Sequence, residues 1–303
     1  MKYLETNSRN TVDSIFSRQN DSFLLQCQVA QNKEYSSAKR IAFWKMVVTL
    51  IFAAISIASS ALNIEWLTAL AGLLAVMIVI INKYTDTRIC AQKRHAASVQ
   101  QYIDATLYAS ALGNDVSDWG EVSSKSDLAE AINEFGTANT SPFVNWYSDY
   151  SSLAPEAQVF YCQRENVRWD YNLHKKYRRL QVVLLCGIAV AMLVAFFAVN
   201  PSFIKAVCVL SWFMPIAEYA GSIIKEMNYS INLLRDIDTQ CGEVEKKLAK
   251  ASPRTIKTDL IKLQRKIWDR RANGYLIPDW FYDHHRAKQQ EKEDNIAKTI
   301  QNN

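Results

Sequence analysis

Four apolar segments set the limits on this fold. They run Met46–Leu62, Trp66–Ile81, Val182–Val199 and Phe203–Tyr219. The first three carry no charged side chain, and the fourth holds Lys205 and Glu218 near its two ends. Segments of about 20 residues match a hydrocarbon core roughly 30 Å thick. A soluble helix of that length would show a polar stripe, and these do not. The breaks within the pairs are short, Asn63-Ile64-Glu65 and Asn200-Pro201-Ser202. Each pair therefore reads as a helical hairpin in a membrane.

The rest of the chain agrees with long helices. Among 303 residues there are only 8 Gly and 6 Pro. Sandwiches, propellers and nucleotide-binding α/β folds need turn residues far more often. The glycine fingerprints GxGxxG and GxxxxGK[ST] are absent as well. The fold class expected is an all-α integral membrane protein with four transmembrane helices in two hairpins. Its cytoplasmic helical body is built partly from extensions of the spans. The expected organisation is a cytoplasmic N-terminal helix (1–40), hairpin 1 (41–82), a cytoplasmic helical region (83–180), hairpin 2 (181–221) and C-terminal cytoplasmic helices (222–303).

Lys and Arg set the orientation. One side of the segments carries Lys39, Arg40, Lys45, Lys83, Arg88, Lys175, Lys176, Arg178, Arg179 and Lys225, whereas the short turns carry only Lys205. Both termini are thus expected in the cytoplasm. The first ten residues hold no apolar stretch, so a cleaved leader is not expected. The six cysteines form no CxxC and have no histidine at ligand spacing. They read as reduced thiols rather than a disulfide framework or a zinc site.

Local signals mark the cytoplasmic helices. Residues 13–40 read as helical. Ile89, Gln92, Ala96, Val99, Ile103 and Leu107 recur at 3/4 spacing, which extends the second span as a stalk over 82–110. Residues 113–141 hold six acids against one lysine and read as a solvated loop with a short helix. Pro155 opens a helix that runs into the third span. Met227, Ile231, Leu234, Cys241, Val244 and Leu248 continue the fourth span downward as a packing stripe. Ser252-Pro253 ends that helix and starts the next, which closes near Asn273-Gly274, and Pro278 opens the last.

Three clusters mix aromatics with charge: Trp146-Tyr147; the run Gln163 to Asp170 with Arg164, Asn166 and Trp169; and Asp279, Trp280 and Tyr282 preceded by Arg270-Arg271. Flat rings suit packing or base stacking, and arginine pairs with carboxylate or phosphate. One reading makes these residues locks between helices. The other makes them a pocket for an anionic, base-containing ligand. No catalytic residues, metal or cofactor are expected. HExxH and GxSxG are absent, and the adjacent His284 and His285 point about 100° apart on a helix.

The chain resembles the SMODS-associated four-transmembrane effector family. The resemblance rests on Gln19-Asn20, Ala30-Gln31, Tyr35-Ser36 and Ala38-Lys39-Arg40 before the first span. It continues through Trp146-Tyr147, Cys162-Gln163-Arg164-Glu165-Asn166 with Trp169-Asp170, and Pro278-Asp279-Trp280-Phe281-Tyr282 followed by Arg286. It implies a pore-forming effector of bacterial nucleotide-signalled antiphage defence, located in the inner membrane. It also implies a cyclic di- or oligonucleotide ligand from a partner nucleotidyltransferase.

The remaining expected partners are the lipid bilayer and further copies of the chain, with no nucleic acid polymer. Four spans cannot enclose a wide channel, hence the homo-oligomer. Pore or gate candidates are Ser56 and Ser59 in the first span, Pro215 as a kink in the fourth, and Glu218 near its inner end. Two alternatives stay open: an ion channel of bestrophin-like topology, and a membrane scaffold whose cytoplasmic helices recruit a partner.

Overall fold

The computed structural model describes residues 14–61, 65–135, 138–199 and 203–302. Side chains are described over these ranges, except for most of those between 53 and 79 and between 191 and 218. The described residues form eight α-helices and no strand. These are α1 (Ile15–Arg18), α2 (Ser22–Ala61), α3 (Glu65–Leu112), α4 (Lys125–Phe135), α5 (Pro155–Val199), α6 (Phe203–Leu248), α7 (Pro253–Asn273) and α8 (Asp279–Gln301). A short 3-10 turn, Ser141–Phe143, precedes α5.

Four helices dominate. α2, α3, α5 and α6 have 40, 48, 45 and 46 residues. At 1.5 Å per residue each extends roughly 60–72 Å. Each carries one expected span and a long polar half. The stalk is the C-terminal half of α3, and the helix from Pro155 is α5. Among the described residues no helix is long and apolar enough to cross a membrane. The expected spans fall largely on side chains outside the described residues, and those of Ser56, Ser59, Pro215 and Glu218 are among them. Where side chains in these halves are described, many are large, apolar and exposed, including Ile51, Trp66, Ile80, Val183 and Val194.

The polar halves pack into one body. α2 lies along α3 and α5 along α6, while α7 packs against α3, α5 and α6. Helix α7 is placed by its own sequence. The Ser252 hydroxyl accepts the Thr255 N–H, Pro253 fills the first turn, and Ile256, Leu260, Leu263 and Ile267 bury one face. The stripe from Met227 to Leu248 on α6 is buried as its spacing requires. The main core gathers Val99, Ile103, Tyr108, Phe160, Leu234, Ile237, Leu260 and Leu263. A second cluster of Leu173, Tyr177, Met227, Ile277 and Phe281 lies beside it.

Two expectations change. The helix expected over 13–40 is broken at residues 19–21, between α1 and α2. Asp21 is the cause: its Oδ1 accepts the N–H groups of Phe23 and Leu24 at 2.9 and 3.2 Å, which starts α2 afresh. The segment 113–123 is not merely solvated. Trp119 is 0% exposed in the main core, and its carbonyl accepts from Gln101 Nε2 at 3.0 Å. Gly120, next to it, has φ +112°, and a Cβ there would meet the Trp268 ring at 2.7 Å. Only glycine meets both demands.

Candidate ligand cavity

A cavity of about 380 Å³ lies where α2, α5, α7 and α8 converge. That volume falls in the range of small-molecule sites. α2 contributes Tyr35, Ser36 and Lys39, and the segment before α5 contributes Trp146 and Tyr147. α5 contributes Glu165, Asn166, Trp169, Asp170 and His174. Arg270 and Arg271 come from the last turn of α7, and Asp279, Tyr282, Asp283 and Arg286 from the start of α8.

The break between α1 and α2 builds one wall. Gln19 clamps Tyr147, accepting its N–H at 2.7 Å and donating to its carbonyl at 3.1 Å. Asn20 does the same for Asn145, accepting its N–H at 2.9 Å and donating to its Oδ1 at 2.8 Å. Asn145 holds φ +54°, a left-handed conformation in which asparagine is enriched. Two side chains from a tight turn thus fix the direction of Trp146 and Tyr147.

Behind the cavity runs a buried polar network centred on Asp104. Its carboxylate accepts from Tyr147 OH at 2.8 Å, Gln264 Nε2 at 2.9 Å and Arg271 Nη1 at 2.6 Å. Asn166 and Tyr108 both donate to the Tyr147 hydroxyl. Burial opposes the charge on Arg271, but Asp104 outweighs it and raises the guanidinium pKa. Gly274 lets the chain turn beneath Arg270, since a Cβ there would meet the Arg270 carbonyl oxygen at 2.6 Å.

The electrostatics are nearly balanced. Arg270 pairs with Asp170, and Lys39 pairs with Asp279 at 2.6 Å. Arg286 donates to the Pro142 carbonyl. Burial and the Glu293 carboxylate push Glu165 up to about 8, against the Ser148 N–H and hydroxyl that donate to it. Burial and Arg270 push His174 down to about 4. Both shifts favour the neutral form. Burial also raises the phenols of Tyr35 and Tyr282. The Trp169 ring faces Tyr282 at 6.0 Å. Such walls can grip an anion and hold a flat ring.

Eight of the residues singled out in the sequence line this one space: Trp146, Tyr147, Asn166, Trp169, Asp170, Arg271, Asp279 and Tyr282. Three do not. Gln163 is buried and donates to the Leu260 carbonyl and to Gln264 Oε1, one step behind Asp104. Arg164 points to the other side of α5 and pairs with Glu245 on α6. Trp280 is 61% exposed, with its ring edge-on to Phe281. Neighbours on a helix point about 100° apart, so a cluster along a helix cannot face one site as a block. Tyr35, Lys39, His174 and Arg286 lie outside the three clusters. Tyr35, Lys39 and Arg286 stand among the residues that carry the family resemblance, and Arg270 belongs to the third cluster with Arg271.

Fold and cavity define an all-helical protein with a ligand-sized polar site at the junction of long helices that continue into apolar halves. The family profile of the SMODS-associating 4TM effector domain matches residues 13–300, nearly the whole chain, and the chain belongs to that family. No curated protein and no solved structure matches it.

Proposed function

We propose that the chain is a non-catalytic, pore-forming effector of the bacterial inner membrane. The four apolar segments cross the bilayer as two hairpins, with both termini in the cytoplasm. The cavity receives a cyclic di- or oligonucleotide made by a partner nucleotidyltransferase. The ligand binds a minor open state of the homo-oligomer more tightly than the closed one and so shifts the population. Pro215 bends the fourth span and Glu218 lines its inner mouth.

One observation carries this reading: cavity walls and apolar halves belong to the same unbroken helices. On α2, Tyr35 and Lys39 line the cavity, and Trp44 and Ile51 stand exposed further along. On α5, Trp169 and His174 line it, and Val183 and Val190 stand exposed beyond. Contiguous exposed apolar surface of this kind is uncommon on a soluble monomer. Trp44, Trp66 and Tyr84 lie at segment ends, where aromatic side chains meet headgroups.

The test is leakage. Purified full-length protein in dye-loaded liposomes is expected to release dye only with the matching cyclic nucleotide. Pro215→Ala and Glu218→Gln are expected to change the release rate at saturating ligand. No release with any cyclic nucleotide, together with no depolarisation in cells, overturns the proposal.

A further inference from the structure

The cavity has a chemical bias in what it leaves unpaired. Arg270 Nε, Arg271 Nη2 and Tyr282 OH are buried and have no hydrogen-bond partner. All three residues line the cavity. The unpaired buried amide oxygens, those of Gln92, Gln163 and Gln289, belong to residues outside the lining. Among the described residues, then, the side chains that line the cavity leave three buried donors unpaired and no buried, unpaired carboxylate or amide oxygen. Buried polar groups in folded proteins are nearly always paired. Three spare donors around one space call for a ligand that brings oxygen acceptors. Asp170 links two of them: it pairs with Arg270, and its charge acts on the Tyr282 phenol. Arg271 is 6% exposed and already anchored through its other nitrogen to Asp104. It therefore cannot swing away, and its free N–H bonds are preorganised.

We propose that Arg270, Arg271 and Tyr282 form an oxyanion subsite that takes a phosphodiester and rejects phosphate monoesters and polyphosphates. The discrimination comes from charge. Arg270, Arg271 and Lys39 each already face a carboxylate, respectively Asp170, Asp104 and Asp279. Arg286, which donates to the Pro142 carbonyl, and Asp283 also line the cavity and offset each other in charge, leaving little positive charge to spare. The neutral state of His174 adds none. A diester brings one negative charge and two free oxygens per phosphate. A triphosphate brings several more charges against Asp170, Asp279 and Asp283, and like charges brought together in a buried site are costly. The inference deepens the nucleotide-sensing reading and rests on the cavity being the sensor. A phosphodiester also occurs in lipid headgroups, so the source is settled by experiment.

The test uses the full chain in detergent micelles and tryptophan fluorescence, since Trp146 and Trp169 line the cavity. The probes are dimethyl phosphate, methyl phosphate, pyrophosphate and glycerophosphoglycerol. Dimethyl phosphate is expected to bind at least tenfold more tightly than methyl phosphate or pyrophosphate. Tyr282→Phe, which removes only an unpaired hydroxyl, and Arg271→Lys, which keeps the charge beside Asp104, are each expected to weaken it about tenfold. The melting temperature of Tyr282→Phe should be unchanged. Tighter binding of pyrophosphate or methyl phosphate, or no effect of either variant, overturns the subsite. Tighter binding of glycerophosphoglycerol than of a cyclic dinucleotide supports the diester subsite and assigns it to lipid. If cyclic nucleotides trigger leakage at the same half-maximal concentration in both variants, the subsite fails and the effector reading stands. If the probes and variants behave as expected but no nucleotide causes leakage, the reverse holds.

Discussion

Glu165 and His174 titrate in opposite senses, and their windows overlap only in part. The Glu165 carboxyl is raised from 4.5 to about 8. Between those values the unfolded chain is ionised and the folded chain is not, so stability falls as pH rises. His174 is lowered from 6.5 to about 4. Between those values the unfolded chain holds the extra proton, so stability rises with pH. The two slopes offset each other up to about pH 6.5. Above that, only Glu165 acts. Thermal melts should therefore show stability falling by about 2 kcal/mol between pH 6.5 and 8, at 1.36 kcal/mol per pH unit. Glu165→Gln should flatten that decline, and a decline that persists in the variant would remove Glu165 as its source. Gly274→Ala makes a second residue-scale case. The new methyl must displace the Arg270 carbonyl, at a cost of about 1–3 kcal/mol by chemical denaturation. The same strain should loosen the Arg270–Asp170 pair and weaken ligand binding. Neither effect was legible in the sequence. Glu165 stands in a charged run, and its shift owes part of its size to the charge of Glu293, which is remote in the chain.

Helix ends were legible where a local cause exists. Pro155, Ser252-Pro253 and Pro278 mark starts because proline fixes φ and lacks an N–H, which depends on no distant partner. The stripes on α3 and α6 were legible because burial follows periodicity. The α1–α2 break carries a local signal, the Asp21 cap, that the helical reading of 13–40 passed over, and what the break positions lies far off in sequence. Gln19 grips Tyr147 from 128 residues away, and Arg271 reaches Asp104 across 167. Pairings at such separation are set by packing, and one sequence carries no signal for them. The Trp119 anchor was missed for the same reason: its burial needs α3 and α7 in place. The clamp yields a prediction at this scale. Gln19→Ala leaves the Tyr147 N–H and carbonyl unpaired in a buried setting, a cost of about 1–3 kcal/mol. Amide exchange at Tyr147 should accelerate while exchange in the middle of α7 stays slow. Equal acceleration in both places would mean that the turn supports the whole body rather than the 145–147 wall.

At the scale of the molecule, the long helices α2 and α5 join a ligand-sized space to apolar surface without an intervening loop. Tyr35 and Ala61 lie on one helix, about 26 residues and 39 Å apart at 1.5 Å per residue. A stiff rod of that length is a lever. A tilt of ~5° at the cavity end displaces the far end by ~3 Å over that rise. The gain depends on stiffness alone, so it can be abolished without touching either end. Ala42→Gly with Phe43→Gly softens α2 between the two, at roughly 1 kcal/mol for each added glycine. Ligand affinity should hold while ligand-driven leakage falls several-fold. If leakage and affinity fall together, the rod is not the transmitter.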